Sequence, residues 1–188
     1  MNEIKGADQS EILSGTPDAD RILTGDGLDT VRAGAGDDQI NGYLKSDSSW
    51  SYWAVQGEKL LYGEEGNDFI YGGSSNDVID GGDGNDTLSY QNDQNGVTVD
   101  MLTNFAGRNT AEGDTFRNIE NLTGGQGWDI LGGDAGSNTI YAGKGNDQVY
   151  GDGLVTTHTY AHAHINAPAH MTIHIHTHAH NAPDTRWQ

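Results

Sequence analysis

Apolar residues are sparse along this chain, and where they occur they keep strict time. Three blocks, 15–41, 63–89 and 124–150, each divide into three units of nine residues with an aliphatic side chain at the eighth place of every unit. These are Ile22, Val31, Ile40, Ile70, Ile79, Leu88, Leu131, Ile140 and Val149. The residues flanking each aliphatic are mostly polar, so every unit predicts a strand of about three residues with one side chain pointing inward. Such strands cannot bury a core alone. Stacked coil upon coil, they share one row of aliphatics along a solenoid axis.

The other fixed places give the turns. The fourth position is Gly in seven of the nine units, with Asp18 and Ser75 as the exceptions. Glycine supplies positive-φ turns and lets backbone carbonyls approach a bound ion. The sixth position reads Asp20, Asp29, Asp38, Asp68, Asp77, Asp86, Asp129, Asn138 and Asp147. Stacking sets these carboxylates side by side at the strand spacing of about 5 Å. Two like charges at that distance repel by about 1 to 3 kcal/mol as the effective dielectric falls from 80 to 20. A cation between the turns removes that penalty. Oxygen ligands on flexible glycine turns suit Ca2+ better than Mg2+, which demands a strict octahedron and holds its waters.

Composition sharpens the picture. Against 28 acids stand 9 Lys and Arg, for a formal net charge of -19. That balance excludes nucleic acid and acidic membrane surfaces as expected partners and favours cations. The chain has no Cys, so neither disulfides nor thiolate metal sites arise. No run of 18 apolar residues predicts a membrane span, and the first ten residues lack the apolar core of a secretory signal. All eight His lie in the tail, leaving no His in the body for a Ser-His-Asp arrangement, and an enzyme is not expected. Neither an EF-hand loop nor a phosphate-binding loop is present.

Units such as "GGDGNDTLS" and "GGQGWDILG" resemble the G-G-x-G-x-D-x-aliphatic-x nonapeptide of the repeat-in-toxin (RTX), or haemolysin-type, calcium-binding proteins. The resemblance implies an all-β fold, a right-handed parallel β-roll that depends on Ca2+, with inserted loops. It implies a six-residue turn and a three-residue strand per unit, with ions between turns two units apart. Carried onto this sequence, Asp20 works with the turn of Asp38, Asp68 with that of Asp86, and Asp129 with that of Asp147. Carbonyls near Gly66, Gly84, Gly127 and Gly145 complete the sites. Asp29, Asp77 and Asn138 occupy equivalent places, and Asn138 lacks the charge. The resemblance also implies an extracellular protein exported by type I secretion, a module of a toxin, enzyme or adhesin.

The remaining segments divide as a lead-in (1–14), linkers (42–62 and 90–123) and a tail (154–188), the roll itself running from 15 to 153. In the second linker Val97, Val99 and Met101 alternate as in a strand, and Phe116, Ile119 and Leu122 continue the apolar row. Asp100 and Asp114 there read as structural or solvated. The first linker carries Trp50, Tyr52 and Trp53, which read as anchors on the roll or as a platform for an acidic or other polysaccharide. That second reading makes the chain an accessory module of a polysaccharide-modifying enzyme.

The tail has its own character. His158, His162, His164, His170, His174, His176, His178 and His180 all fall at even positions, and one face of an extended strand would carry them. An irregular, disordered or non-native terminus that binds transition metals adventitiously is the expectation, with an ordered imidazole site as the alternative. "NAPDTRWQ" does not resemble the secretion signal that follows other rolls.

Overall fold

The structure, a computed structural model, describes residues 1–41 and 57–151 and the backbone of 172–175. The chain winds back and forth between facing sheets, laying down one short strand at each pass. The first sheet runs through β1 (Asn2–Lys5), β3 (Asp20–Leu23), β5 (Gln39–Asn41), β7 (Phe69–Tyr71), β9 (Thr87–Ser89), β13 (Asn121–Thr123) and β15 (Asn138–Tyr141). Every pair of neighbours in that series is parallel. Strand β17 (Thr172–Ile175) closes its end antiparallel to β15.

The alternate passes build the opposite wall. One sheet there contains β2 (Ile12–Ser14), β4 (Asp29–Ala35), β6 (Lys59–Glu65), β8 (Val78–Asp83) and β12 (Thr115–Arg117), all parallel. Another contains β10 (Thr98–Asp100), β14 (Ile130–Gly132) and β16 (Gln148–Tyr150), with β11 (Phe105–Gly107) folded antiparallel onto β10. This is a parallel β-roll, as the resemblance to the RTX repeats implies.

The register explains the spacing. Ile22 lies opposite Ile40, and Ile70 opposite Leu88, each pair separated by one coil of two units. One row therefore reads Ile4, Ile22, Ile40, Ile70, Leu88, Leu122 and Ile140. The facing wall contributes Leu13, Val31, Leu61, Ile79 and Phe116, followed by Val99, Leu131 and Val149. These rows form one buried core, with Ile4 packed at its edge. Each aliphatic so buried contributes about 1.5 to 3 kcal/mol.

The core extends beyond the nine units that define the repeat. Within 1–14, Asn2 and Ile4, then Glu11 and Leu13, take the sixth and eighth places of two earlier units, which make one further coil. Part of the expected first linker also joins: Lys59 lies opposite Asp29, and Leu61 opposite Val31. The second linker carries the roll onward, with Phe116 in register with Ile79 and Leu122 between Leu88 and Ile140. Val97, Val99, Met101, Phe116, Ile119 and Leu122 are all buried. Asp93 braces this segment, accepting from the N–H groups of Asn95 and Gly96 and from both the N–H and hydroxyl of Thr110.

Candidate functional site

Because alternate units point to opposite walls, their turns stack in columns along the edges of the roll. The sixth-position carboxylates line these columns, and one oxygen of each has a structural task. The N–H of Asp20 donates to Oδ1 of Asp38 (2.7 Å), that of Asp38 to Asp68 (2.9 Å), and that of Asp68 to Asp86 (2.8 Å). On the other edge the N–H of Asp77 donates to Asp114 (2.7 Å), and that of Asp129 to Asp147 (2.9 Å). Each acid thus caps the coil before it, satisfying an N–H that the three-residue strand leaves over. The pairs 20/38, 68/86 and 129/147, which the family resemblance implies, come together. Asp38 and Asp68 stack as well, although residues 42–62 separate their blocks.

The second oxygen separates the turns into two kinds. In Asp20 and Asp129 it is taken by the turn's own backbone, from Thr16 (2.6 Å) and Gly125 (2.8 Å). Asn138 does the same, its Oδ1 accepting from Asp134 (2.9 Å). In Asp38, Asp68, Asp77 and Asp86 the Oδ2 atom is buried with no hydrogen-bond partner. Among the described residues Asp29 Oδ2 also lacks a hydrogen bond but lies 3.4 Å from the Lys59 ammonium. The other four form an unmet demand for positive charge, since a buried polar atom ordinarily finds a partner.

Titration behaviour follows. Burial, with repulsion from neighbouring carboxylates, pushes Asp38, Asp68 and Asp86 each up to about 6. Burial and the adjacent Asp114 push Asp77 up to about 8. Burial likewise raises Asp114 and Asp129 to about 7, and Asp29 and Asp147 in the same direction. Asp20 is the exception: burial opposes its ionisation, but donors on Thr16 and Asn2 outweigh that and lower it.

Carbonyls supply the rest of the oxygen set. At Gly66 (φ +141°) a Cβ would collide with the carbonyl oxygen of Gly36, and at Gly84 (φ +157°) with that of Gly66. Gly145 sits in the same way on Gly127. Turns stacked this closely hold their fourth-position carbonyls one above another, beside the sixth-position acids. No three acidic or imidazole side chains converge among the described residues. An ion held here would draw most of its ligands from the backbone, which suits Ca2+.

One turn pair displays the ligand set around a cation that is part of the chain. Lys59, at the sixth position of the stretch 54–62, is 1% exposed. Its Nζ donates to the carbonyls of Gly27 (2.5 Å) and Gly57 (3.0 Å) and lies 3.4 Å from Asp29 Oδ2. Two stacked fourth-position carbonyls and a sixth-position carboxylate therefore do converge on a single positive charge. The oxygen set fits a hard cation.

The sequence reading missed Lys59, Asp114 and Glu120. Lys59 breaks the acidic pattern, yet Leu61 two places on marks its frame. Asp114 was expected to be structural or solvated; it is buried, and it accepts from the Tyr90 hydroxyl (2.7 Å) as well as from Asp77. Phe116, two places on, fixes its frame. Glu120 takes the Asp86 N–H (2.8 Å) after a turn of only three residues. Trp50, Tyr52, Trp53 and the proposed imidazole ladder lie outside the described residues, apart from the backbone at His174.

Comparison with known families agrees with the geometry. The model of the RTX calcium-binding nonapeptide repeat, in four copies, matches residues 6–44, 60–88 and 123–153, just over half of the chain. The protein belongs to this family, whose repeats bind Ca2+ and whose members are typically secreted. The chain is accordingly a calcium-binding module. No curated protein matches it. Among the described residues no helix is long and apolar enough to cross a membrane.

Proposed function

We propose that this module folds in response to Ca2+ outside the cell and serves a structural rather than a catalytic role in a type I-secreted toxin, enzyme or adhesin. The observation that carries the proposal is the set of four buried, unpartnered carboxylate oxygens on Asp38, Asp68, Asp77 and Asp86. Without metal, the carboxylate columns repel and the coils separate. With Ca2+, the charges become ligands and ion binding adds to the folding free energy.

In this reading one ion lies between the turns of Asp38 and Asp68, with Gly36 and Gly66 carbonyls, and another between those of Asp68 and Asp86, with Gly66 and Gly84. Asp77 and Asp114 share a site on the opposite edge. Asp20 with Asp38, and Asp129 with Asp147, Gly127 and Gly145, hold weaker sites, because the turn's own N–H must release an oxygen. Asn138 offers no charge and its turn contributes least.

Small-angle scattering across a Ca2+ titration tests the proposal. A chain of 188 residues has a radius of gyration of about 46 Å unfolded and about 16 Å compact, somewhat more for an elongated roll. The proposal predicts contraction from near the first value in chelator to near the second at millimolar Ca2+. A radius already compact in chelator would refute the switch.

A further inference from the structure

We propose that the Lys59 ammonium permanently fills the cation site between the turn of residues 24–29 and the turn ending at Lys59, so that this coil closes without metal and takes no Ca2+. The inference rests on the calcium reading of the other turns. Its support is a comparison of stacked turns within one molecule.

Gly57 (φ +106°) stacks on the carbonyl of Gly27 in the same manner as Gly66 on Gly36, Gly84 on Gly66 and Gly145 on Gly127. The stacked glycine carbonyls are therefore alike in each case. What differs is the partner of the sixth-position carboxylate. At the Asp38, Asp68 and Asp86 turns the Oδ2 atom has no partner, whereas Asp29 Oδ2 faces the ammonium at 3.4 Å. That oxygen makes no hydrogen bond with the ammonium; the contact is an ion pair, as with a hard cation, while the two carbonyls accept hydrogen bonds. A lysine serving only a surface ion pair would leave its head in water. This one is buried at 1% exposure, which a charged group tolerates when oxygens replace its hydration shell.

Placement gives the substitution a purpose. Lys59 follows the insertion of residues 42–56 in the sequence, and there β6 must find β4 across 30 residues of chain. Bringing those strands together costs more loop-closure entropy than the 18-residue repeats elsewhere. A tethered cation pairs with Asp29 at fixed effective concentration and needs no ion from solution. The coil so closed gives the neighbouring turns a template on which to bind Ca2+.

The experiment counts ions. Native mass spectrometry of the full chain at saturating Ca2+ should show one more bound ion in Lys59→Asp than in the parent. Far-UV circular dichroism should show the variant needing more Ca2+ to fold, because the built-in cation is gone. An unchanged count in a folded Lys59→Asp would overturn the proposal while leaving the calcium reading intact. A parent chain that binds no Ca2+ would overturn both. Should the variant not fold, amine acylation of the parent decides: at saturating Ca2+ Lys59 should be protected while the exposed Lys5 and Lys144 react. Lys59 reacting as fast as Lys144 would overturn the assignment.

Discussion

Replacing Asp68 by Asn should shift folding in opposite directions with and without calcium. Asp68 stands in the middle of a column, between Asp38 and Asp86, and is 1% exposed. Its Oδ1 accepts the Asp38 N–H, a task an amide oxygen performs equally well. Its charge is another matter. At a strand spacing near 5 Å each neighbour repels it by about 1 to 3 kcal/mol. Asn removes both repulsions and the cost of burying a carboxylate, so the metal-free roll should gain about 2 kcal/mol at pH 8 after solvent screening. With Ca2+ the sign reverses, because Asp68 flanks two of the proposed ion sites and each loses a charged ligand.

The assay is far-UV circular dichroism in two titrations. In chelator, trimethylamine N-oxide strengthens burial and should fold the metal-free chain at some concentration. Asp68→Asn should need less of the osmolyte than the parent. Without osmolyte, the variant should need at least several-fold more Ca2+. A variant that is worse in both titrations would refute the reasoning, since the carboxylate would then be stabilising on its own account. Asp68→Ala serves as control: it abandons the Asp38 N–H, and a lost buried partner costs about 1 to 3 kcal/mol. It should therefore lose most of the gain in chelator.

Protons should partly replace calcium. Folding raises Asp38, Asp68 and Asp86 from 3.8 to about 6 and Asp77 to about 8, so the folded state binds more protons through that range. Their contribution to stability is complete below 3.8 and is lost as pH rises through 6 to 8. In chelator the β signal should thus grow between pH 8 and pH 5, and a chain that gains nothing on acidification contradicts the orphan-carboxylate picture. Gly66→Ala should raise the Ca2+ midpoint at least tenfold in the same assay, because its Cβ has no room beside the Gly36 carbonyl. Gly136→Ala should change it little, since a Cβ there meets side chains alone, Asp134 at 3.0 Å and Asn138 at 3.9 Å, and the residue lacks the positive φ; equal effects would mean the two turns are built alike.

The periodicity of eighth-position aliphatics and sixth-position acids made a stacked array of short strands legible, and the resemblance to the RTX nonapeptide made it a roll. The spacing alone predicts one row of aliphatics; the two-unit coil that sets Ile70 opposite Leu88, with Ile79 on the facing wall, follows from the family resemblance. The two units within 1–14 were less visible, since Asn2 and Glu11 stand where Asp is the marker. Lys59 was hidden by opposite charge at a place defined by acids. Glu120 was hidden because its turn has only three residues, so the frame slips against its neighbours. The structural task of each Oδ1 was also beyond reach. It arises from an unpaired strand-end N–H, which the sequence does not display.

The central claim is that ions lie between stacked turns and hold them together. Its most direct test is anomalous diffraction from crystals grown with Ca2+. The account predicts peaks between the turns of Asp38 and Asp68 and between those of Asp68 and Asp86, each within ligand distance of the stacked glycine carbonyls, and none beside Lys59. An ordered roll with no peak at either pair would contradict it.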